Sequence, residues 1–140
     1  MLKKIPKILS PELVKVLMEM GHGDTILLAD ANYPAHSMNN KVIRADGLNI
    51  PELLEAVLEL MPLDSYSEYQ VKLMQVVKGD NVQPTIWEEY HNISNKYFDD
   101  VKIEFIDRFD FYNLSKSCYA IVLTGEEALY GNIMLTKGVL

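Results

Sequence analysis

A chain of 140 residues, 49% apolar and 24% charged, is about one domain long and falls outside the disordered class. Thirteen Lys and Arg against twenty Asp and Glu leave a net charge of −7, which disfavours nucleic-acid binding; the small Lys3, Lys4 and Lys7 cluster is the one basic patch. The lone Cys118 excludes an intrachain disulfide and a cysteine-rich zinc site. No apolar run reaches membrane-spanning length or follows the N-terminal lysines as a secretory signal would, so a cytoplasmic chain with no membrane partner is expected.

Ser10 is placed to cap a helix whose first position is Pro11, with Leu13, Val14, Leu17 and Met20 at helical spacing and Gly21 as the stop. Thr25–Ala29 is a short apolar run suited to a strand buried on both faces. Asp30–Asn40 carries Asn, Pro, His and Ser and reads as a loop. Val42–Ala45 is a second short strand. Asn49-x-x-Glu52 then opens a helix with Leu53, Leu54, Val57, Leu58 and Met61 along one stripe.

Val71–Val77 reads as a strand closed by Lys78-Gly79-Asp80. Pro84 opens a helix running to about Tyr97, with Ile86, Trp87, Tyr90 and Ile93 on one side. A strand over Val101–Ile106, a short helix over Phe109–Lys116 and a strand over Tyr119–Leu123 follow. Thr124–Glu127 is a loop, and Ile133–Thr136 a last strand. Alternating strands and helices predict one three-layer α/β/α unit over residues 1–140 with a mostly parallel, mixed sheet. The last two strands lie close enough in sequence to pair antiparallel. Ligands in such sheets sit beyond the carboxyl ends of strands, which points to the loops at Asp30, Arg108 and Gly125.

Candidate chemistry starts at Gly21-His22-Gly23-Asp24. An imidazole between glycines has little cover and can face a ligand, and imidazole both gives and takes protons, so His22 suits proton transfer; the alternative is a helix stop followed by an incidental surface His. Asp30, at the end of a buried strand, can hold hydroxyls or steer an imidazole, or be a turn residue satisfying its own backbone. His22, Asp24 and His36 lack the spacing of known zinc motifs, and no metal is expected. Arg108 within Asp107-Arg108-Phe109-Asp110-Phe111-Tyr112 can fork hydrogen bonds to adjacent hydroxyls beside aromatic rings, or pair with Asp107 or Asp110. Tyr130-Gly131-Asn132 offers a phenol and an amide around a small residue, suited to a neutral polyhydroxyl ligand or to a plain turn. No nucleophile elbow or dinucleotide fingerprint is present.

Several ordered segments carry a resemblance. They are Leu9-Ser10-Pro11-Glu12-Leu13, Met20-Gly21-His22-Gly23-Asp24, Pro34-Ala35-His36-Ser37 and Val42-Ile43-Arg44-Ala45-Asp46-Gly47. Further on come Leu63-Asp64-Ser65-Tyr66, Arg108-Phe109-x-Phe111-Tyr112, Thr124-Gly125-Glu126, and Tyr130-Gly131-Asn132-Ile133 with Lys137-Gly138-Val139. From Leu9 to the end, with a looser stretch over Tyr69–Asp100, the chain resembles the L-fucose mutarotase and D-ribose pyranase family. Arg108, His36 and Arg44-Ala45-Asp46-Gly47 place it nearer the fucose branch.

The resemblance implies an RbsD-like fold, a free aldose as substrate and interconversion of its α and β anomers by assisted ring opening. The ribose pyranase reaction, or sugar binding without catalysis, is the alternative. It further implies His22 as proton donor, Asp30, Arg108, Tyr130, Gly131 and Asn132 as the substrate-binding set, no cofactor, and a ring-shaped homo-oligomer, often a decamer. A strand between His22 and Asp30 spans roughly 20 Å at about 3.3 Å per residue. Either the chain curls at His22–Thr25 or the site is shared between neighbouring subunits.

Overall fold

A computed structural model describes residues 1–140. Its elements run α1 (Pro11–Glu19), β1 (Thr25–Ala29), α2 (Ala35–Met38), β2 (Val42–Ala45), α3 (Ile50–Leu58) and β3 (Val71–Met74), followed by α4 (Ile86–Asn95), β4 (Ile103–Ile106), α5 (Arg108–Lys116), β5 (Ala120–Thr124) and β6 (Ile133–Thr136). The predicted starts hold where capping chemistry sets them. Ser10 Oγ accepts the Leu13 N–H at 3.1 Å, and the Asn49 N–H donates to Glu52 Oε1 at 3.0 Å.

The six strands form one sheet in the order β2-β5-β1-β6-β3-β4. β1 pairs parallel with β5, β5 with β2 and β3 with β4, whereas β6 lies antiparallel between β1 and β3. Strand alternation sorts the core into two. Ile26, Leu28, Ala120, Val122, Ile133 and Leu135 face α1, α3 and α4, while Leu27, Ala29, Ile121, Leu123 and Met134 face α2 and α5. The predicted three-layer α/β/α architecture with a mostly parallel, mixed sheet is the one observed. No helix is long and apolar enough to cross a membrane.

The structure corrects several details. Asp30–Asn40 is not loop throughout, because Ala35–Met38 forms one helical turn. β3 stops at Met74 rather than Val77: its ladder with β4 ends at the Met74–Ile106 pair, and Val77 lies out in solvent. α4 begins at Ile86, two residues past Pro84, and β4 at Ile103. Finally, β6 is antiparallel but not to β5. The segment after Thr124 crosses the carboxyl end of β1, so β6 enters beside β1. That crossing sets Asn132 against Asp30.

Candidate functional site

At the carboxyl ends of the parallel strands lies a cavity of about 230 Å³. Asp30, Arg108, Tyr130 and Asn132 all line it, so four of the predicted residues meet as expected. Asp30 follows β1 and is 7% exposed. Its backbone N–H donates to Asn132 Oδ1 at 2.8 Å, and its carboxylate accepts Asn132 Nδ2 at 3.0 Å and the Asn32 N–H at 3.0 Å. Burial pushes the Asp30 carboxyl above its ordinary value, only partly offset by those hydrogen bonds. A charge so confined gains from further donors, which hydroxyl groups supply.

Arg108 is the first residue of α5, directly beyond β4. It forms no ion pair with Asp107 or Asp110. Nε instead donates to Tyr112 Oη at 3.1 Å, and the guanidinium lies 5.3 and 5.4 Å from the Phe109 and Tyr112 ring centroids. This leaves both Nη groups to a ligand. The hydrogen bond to the Tyr112 hydroxyl, foremost, holds the guanidinium above its already high ordinary value, so it stays charged.

Tyr130 has φ +58, a left-handed conformation that a tyrosine adopts only when its surroundings enforce it. Trp87 Nε1–H donates to the Tyr130 carbonyl at 2.9 Å, and Tyr90 Oη–H to the Gly131 carbonyl at 2.6 Å. α4 thereby fixes the backbone of the crossing loop. Gly131 does not line the cavity: a Cβ there would stand 2.8 Å from the Ala128 carbonyl oxygen and 3.3 Å from Glu126 Cγ. Its part is to let the loop pass, and any ligand contact from it would come through its backbone. The Tyr130 phenol donates to Asp80 Oδ2 at 2.6 Å and accepts the Val77 N–H at 3.3 Å.

His22 lies elsewhere. It sits in the turn before β1, where the Asp24 N–H donates to the Gly21 carbonyl and the Gly23 N–H (φ +87) to the Lys137 carbonyl. β1 is a regular strand paired along both edges, so the chain does not curl to bring His22 to Asp30. Four strand steps of about 3.3 Å, roughly 13 Å, separate the two ends of β1 before the turn residues are added. Within one chain the predicted set is therefore divided between opposite ends of a strand.

The steering carboxylate is also not Asp30. His22 Nε2 meets Asp64 Oδ1 at 2.9 Å, the imidazole remaining 45% exposed and the Asp64 side chain 4% exposed. Burial raises the Asp64 carboxyl, but hydrogen bonds from Ser67 Oγ, the Tyr66 N–H and His22 outweigh it and hold Asp64 below its ordinary value. An ionised acceptor at Nε2 fixes the proton there and leaves Nδ1 as the nitrogen free to exchange a proton. The Tyr66 ring, 5.3 Å away by centroid and tilted by 59°, flanks that imidazole.

Sequence reasoning named Asp64 only within the Leu63-Asp64-Ser65-Tyr66 segment and did not anticipate that Asp64 contacts His22 or that Asp80 contacts Tyr130. The available signal for Asp64 was the Asp64-Ser65-Tyr66-Ser67 run, whose donors fold back onto the first carboxylate. His36 takes no part in either cluster; its Nε2 faces Arg44 Nη1 at 3.2 Å, and Arg44 forks to Asp46 at 2.9 and 2.7 Å. No group of three or more His, Cys, Asp or Glu side chains is arranged to hold a metal. A larger groove of about 790 Å³ runs beside Met1, Leu2, Ile5 and Met18, but it is mainly apolar and lacks convergent polar groups.

Comparisons with known proteins identify relatives of the whole chain. The model of the RbsD / FucU transport protein family matches residues 3–140. A protein named L-fucose mutarotase from Actinobacillus pleuropneumoniae serotype 5b (strain L20) is 49% identical over 140 residues, covering 99% of this chain and 97% of the relative. The crystal structure of the fucose mutarotase in complex with L-fucose from Streptococcus pneumoniae matches with a TM-score of 0.94 at 56% identity, over 99% of each chain. Bacillus subtilis RbsD complexed with D-ribose is more distant, with a TM-score of 0.71 at 26% identity over 94% of this chain and 95% of the other.

Proposed function

Because the chain belongs to the RbsD/FucU family, we infer that it interconverts the α and β anomers of L-fucose by opening and reclosing the sugar ring. The observation that carries this reading is the cavity itself. A carboxylate, a guanidinium, a phenol and an amide converge on a space smaller than the ~300–1,000 Å³ of drug-sized sites. Such a set recognises a small uncharged molecule with many hydroxyls. Residues 1–140 act as one sugar-mutarotase unit, in the cytoplasm, on free monosaccharide.

Ring opening needs a proton delivered to the ring oxygen while the anomeric hydroxyl loses one. The C1–O bond to the ring then breaks and the aldehyde forms, the C1–C2 bond rotates, and closure on the other face reverses both transfers. His22 Nδ1 delivers the proton on opening and recovers it on closing, with Asp64 holding Nε2 throughout. Asp30, Arg108 and Asn132 hold hydroxyls that do not react, and Tyr130 meets the anomeric hydroxyl. General acid–base help of roughly 10²–10⁴-fold is what such groups supply.

His22 reaches this cavity from a neighbouring copy of the chain. What supports the shared site is the position of the two halves at opposite ends of β1, which no rotamer of an imidazole spans. A closed homo-oligomer, a ring such as a decamer, repeats the junction at every interface. The test of the activity is saturation-transfer NMR on the anomeric protons of L-fucose. Transfer between the α and β signals, proportional to added protein, is expected; unenhanced transfer contradicts the reading. D-ribose in the same experiment reports ring-size exchange by the same opening, which the kinship to Bacillus subtilis RbsD makes the second activity to measure.

A further inference from the structure

Building on the mutarotase reading, we propose that Asp80 is a positioning and relay residue that takes the anomeric proton through the Tyr130 phenol. Tyr130 Oη has one proton and two lone pairs. The proton is committed to Asp80 Oδ2 at 2.6 Å, and one lone pair accepts the Val77 N–H at 3.3 Å. A single lone pair remains for a ligand. The phenol therefore meets the sugar as an acceptor, and the group that donates to it in the reaction is the anomeric hydroxyl.

An acceptor phenol is a poor base by itself. The hydrogen bond to Asp80 raises the Tyr130 phenol above its ordinary value, so it does not carry charge in the resting site. It accepts the anomeric proton only by surrendering its own. In that step the anomeric O–H bond breaks and its electron pair becomes the second C1–O bond. The proton passes to Tyr130 Oη while the original phenol proton passes to Asp80 Oδ2. The C1–ring-oxygen pair stays on the ring oxygen, which receives the His22 proton. Closure returns every proton, and no co-reactant is consumed.

Asp80 is built for this place. Its other oxygen, Oδ1, accepts the Val82 N–H at 3.2 Å, which aims Oδ2 at the phenol. Gly79 at φ +91 turns the loop beyond β3 so that Asp80 and the Val77 N–H reach the same oxygen. Asp30 receives no hydrogen bond from a phenol; its carboxylate accepts the Asn32 N–H and Asn132 Nδ2 instead.

The experiment measures fucose anomer exchange as a function of sugar concentration in wild type, Asp80→Asn and Asp80→Ala, with melting curves to confirm the fold. Asn accepts the phenol's hydrogen bond but takes no proton, so the relay predicts that both variants lose tenfold or more in kcat with KM within about twofold. In a Tyr130→Phe background Asp80→Asn should cost nothing further. Asp80→Asn exchanging within twofold of wild type would reduce Asp80 to a ring support and overturn the relay. A change confined to KM, or a loss that multiplies on that of Tyr130→Phe, would overturn it as well. A wild-type chain that exchanges no fucose anomers removes the mutarotase reading itself, a result distinct from any of these.

Discussion

His22 owes its usefulness to two neighbours of opposite character. The flanking glycines leave the imidazole 45% exposed, while Asp64 behind it is nearly sealed from solvent. His22→Ala should therefore reduce fucose anomer exchange by roughly 10²–10⁴-fold, and calorimetry should find its melting temperature close to that of wild type. Asp64 behaves differently because it is also a folding residue. Its folded value lies below the unfolded 3.8, so its ionised form contributes stability above that pH, a contribution lost as pH falls through the folded value. Melting temperatures should consequently fall more steeply below about pH 4 in wild type than in Asp64→Asn, which lacks the titrating group. Parallel slopes for the two would contradict the assignment. At neutral pH Asp64→Asn should also slow exchange by at least about tenfold, since an amide nitrogen facing Nε2 favours the wrong tautomer.

Among the elements, the loop between β5 and β6 does most to assemble the cavity. It carries Tyr130 in a left-handed conformation, passes Gly131 under the Ala128 carbonyl and delivers Asn132 to Asp30. Gly131→Ala should cost about 1–3 kcal/mol, because the added methyl meets backbone rather than a flexible side-chain end. Denaturant unfolding measures that loss, and exchange should fall with it as Tyr130 shifts; an unchanged midpoint would show that the loop gives way cheaply. Here the limits of a one-dimensional reading are visible. Periodicity and caps located α1, α3 and β1 because those signals lie within a few residues. The insertion of β6 between β1 and β3 depends on pairings between residues as far apart as Thr25 and Thr136 or Val71 and Leu135, for which the apolar run Ile133–Thr136 has no distinguishing mark. Lys78-Gly79-Asp80 likewise reads as a plain turn, and only the fold shows its carboxylate aimed at a phenol fifty residues on.

For the molecule as a whole, the decisive feature is a division of labour across the sheet. Residues after β1 and β4 and before β6 gather at one end, as the rule for parallel strands anticipates, and the proton-bearing imidazole stands at the other. Asp30, Arg108, Tyr130 and Asn132 line one cavity because they lie at or beyond strand ends on the same side of the sheet; from the residues alone each read equally as a turn or ion-pair residue, and the resemblance is what grouped them. Strand geometry left two alternatives for His22, a curl at His22–Thr25 or a separation from the set, and the pairing of β1 along both edges decides for separation within one chain. The neighbour that the proposed shared site calls on was not legible, since one chain carries no record of its own symmetry partners. The account requires that a cavity on one copy work with an imidazole on another. Subunit mixing tests this most directly: His22→Ala and Arg108→Ala, each with little exchange activity alone, are combined under conditions where native mass spectrometry shows mixed oligomers. Junctions that pair an intact cavity with an intact His22 should restore fucose anomer exchange to roughly a quarter of the wild-type rate for random closed assemblies. Mixed oligomers that remain as inactive as the separate variants would contradict the shared site.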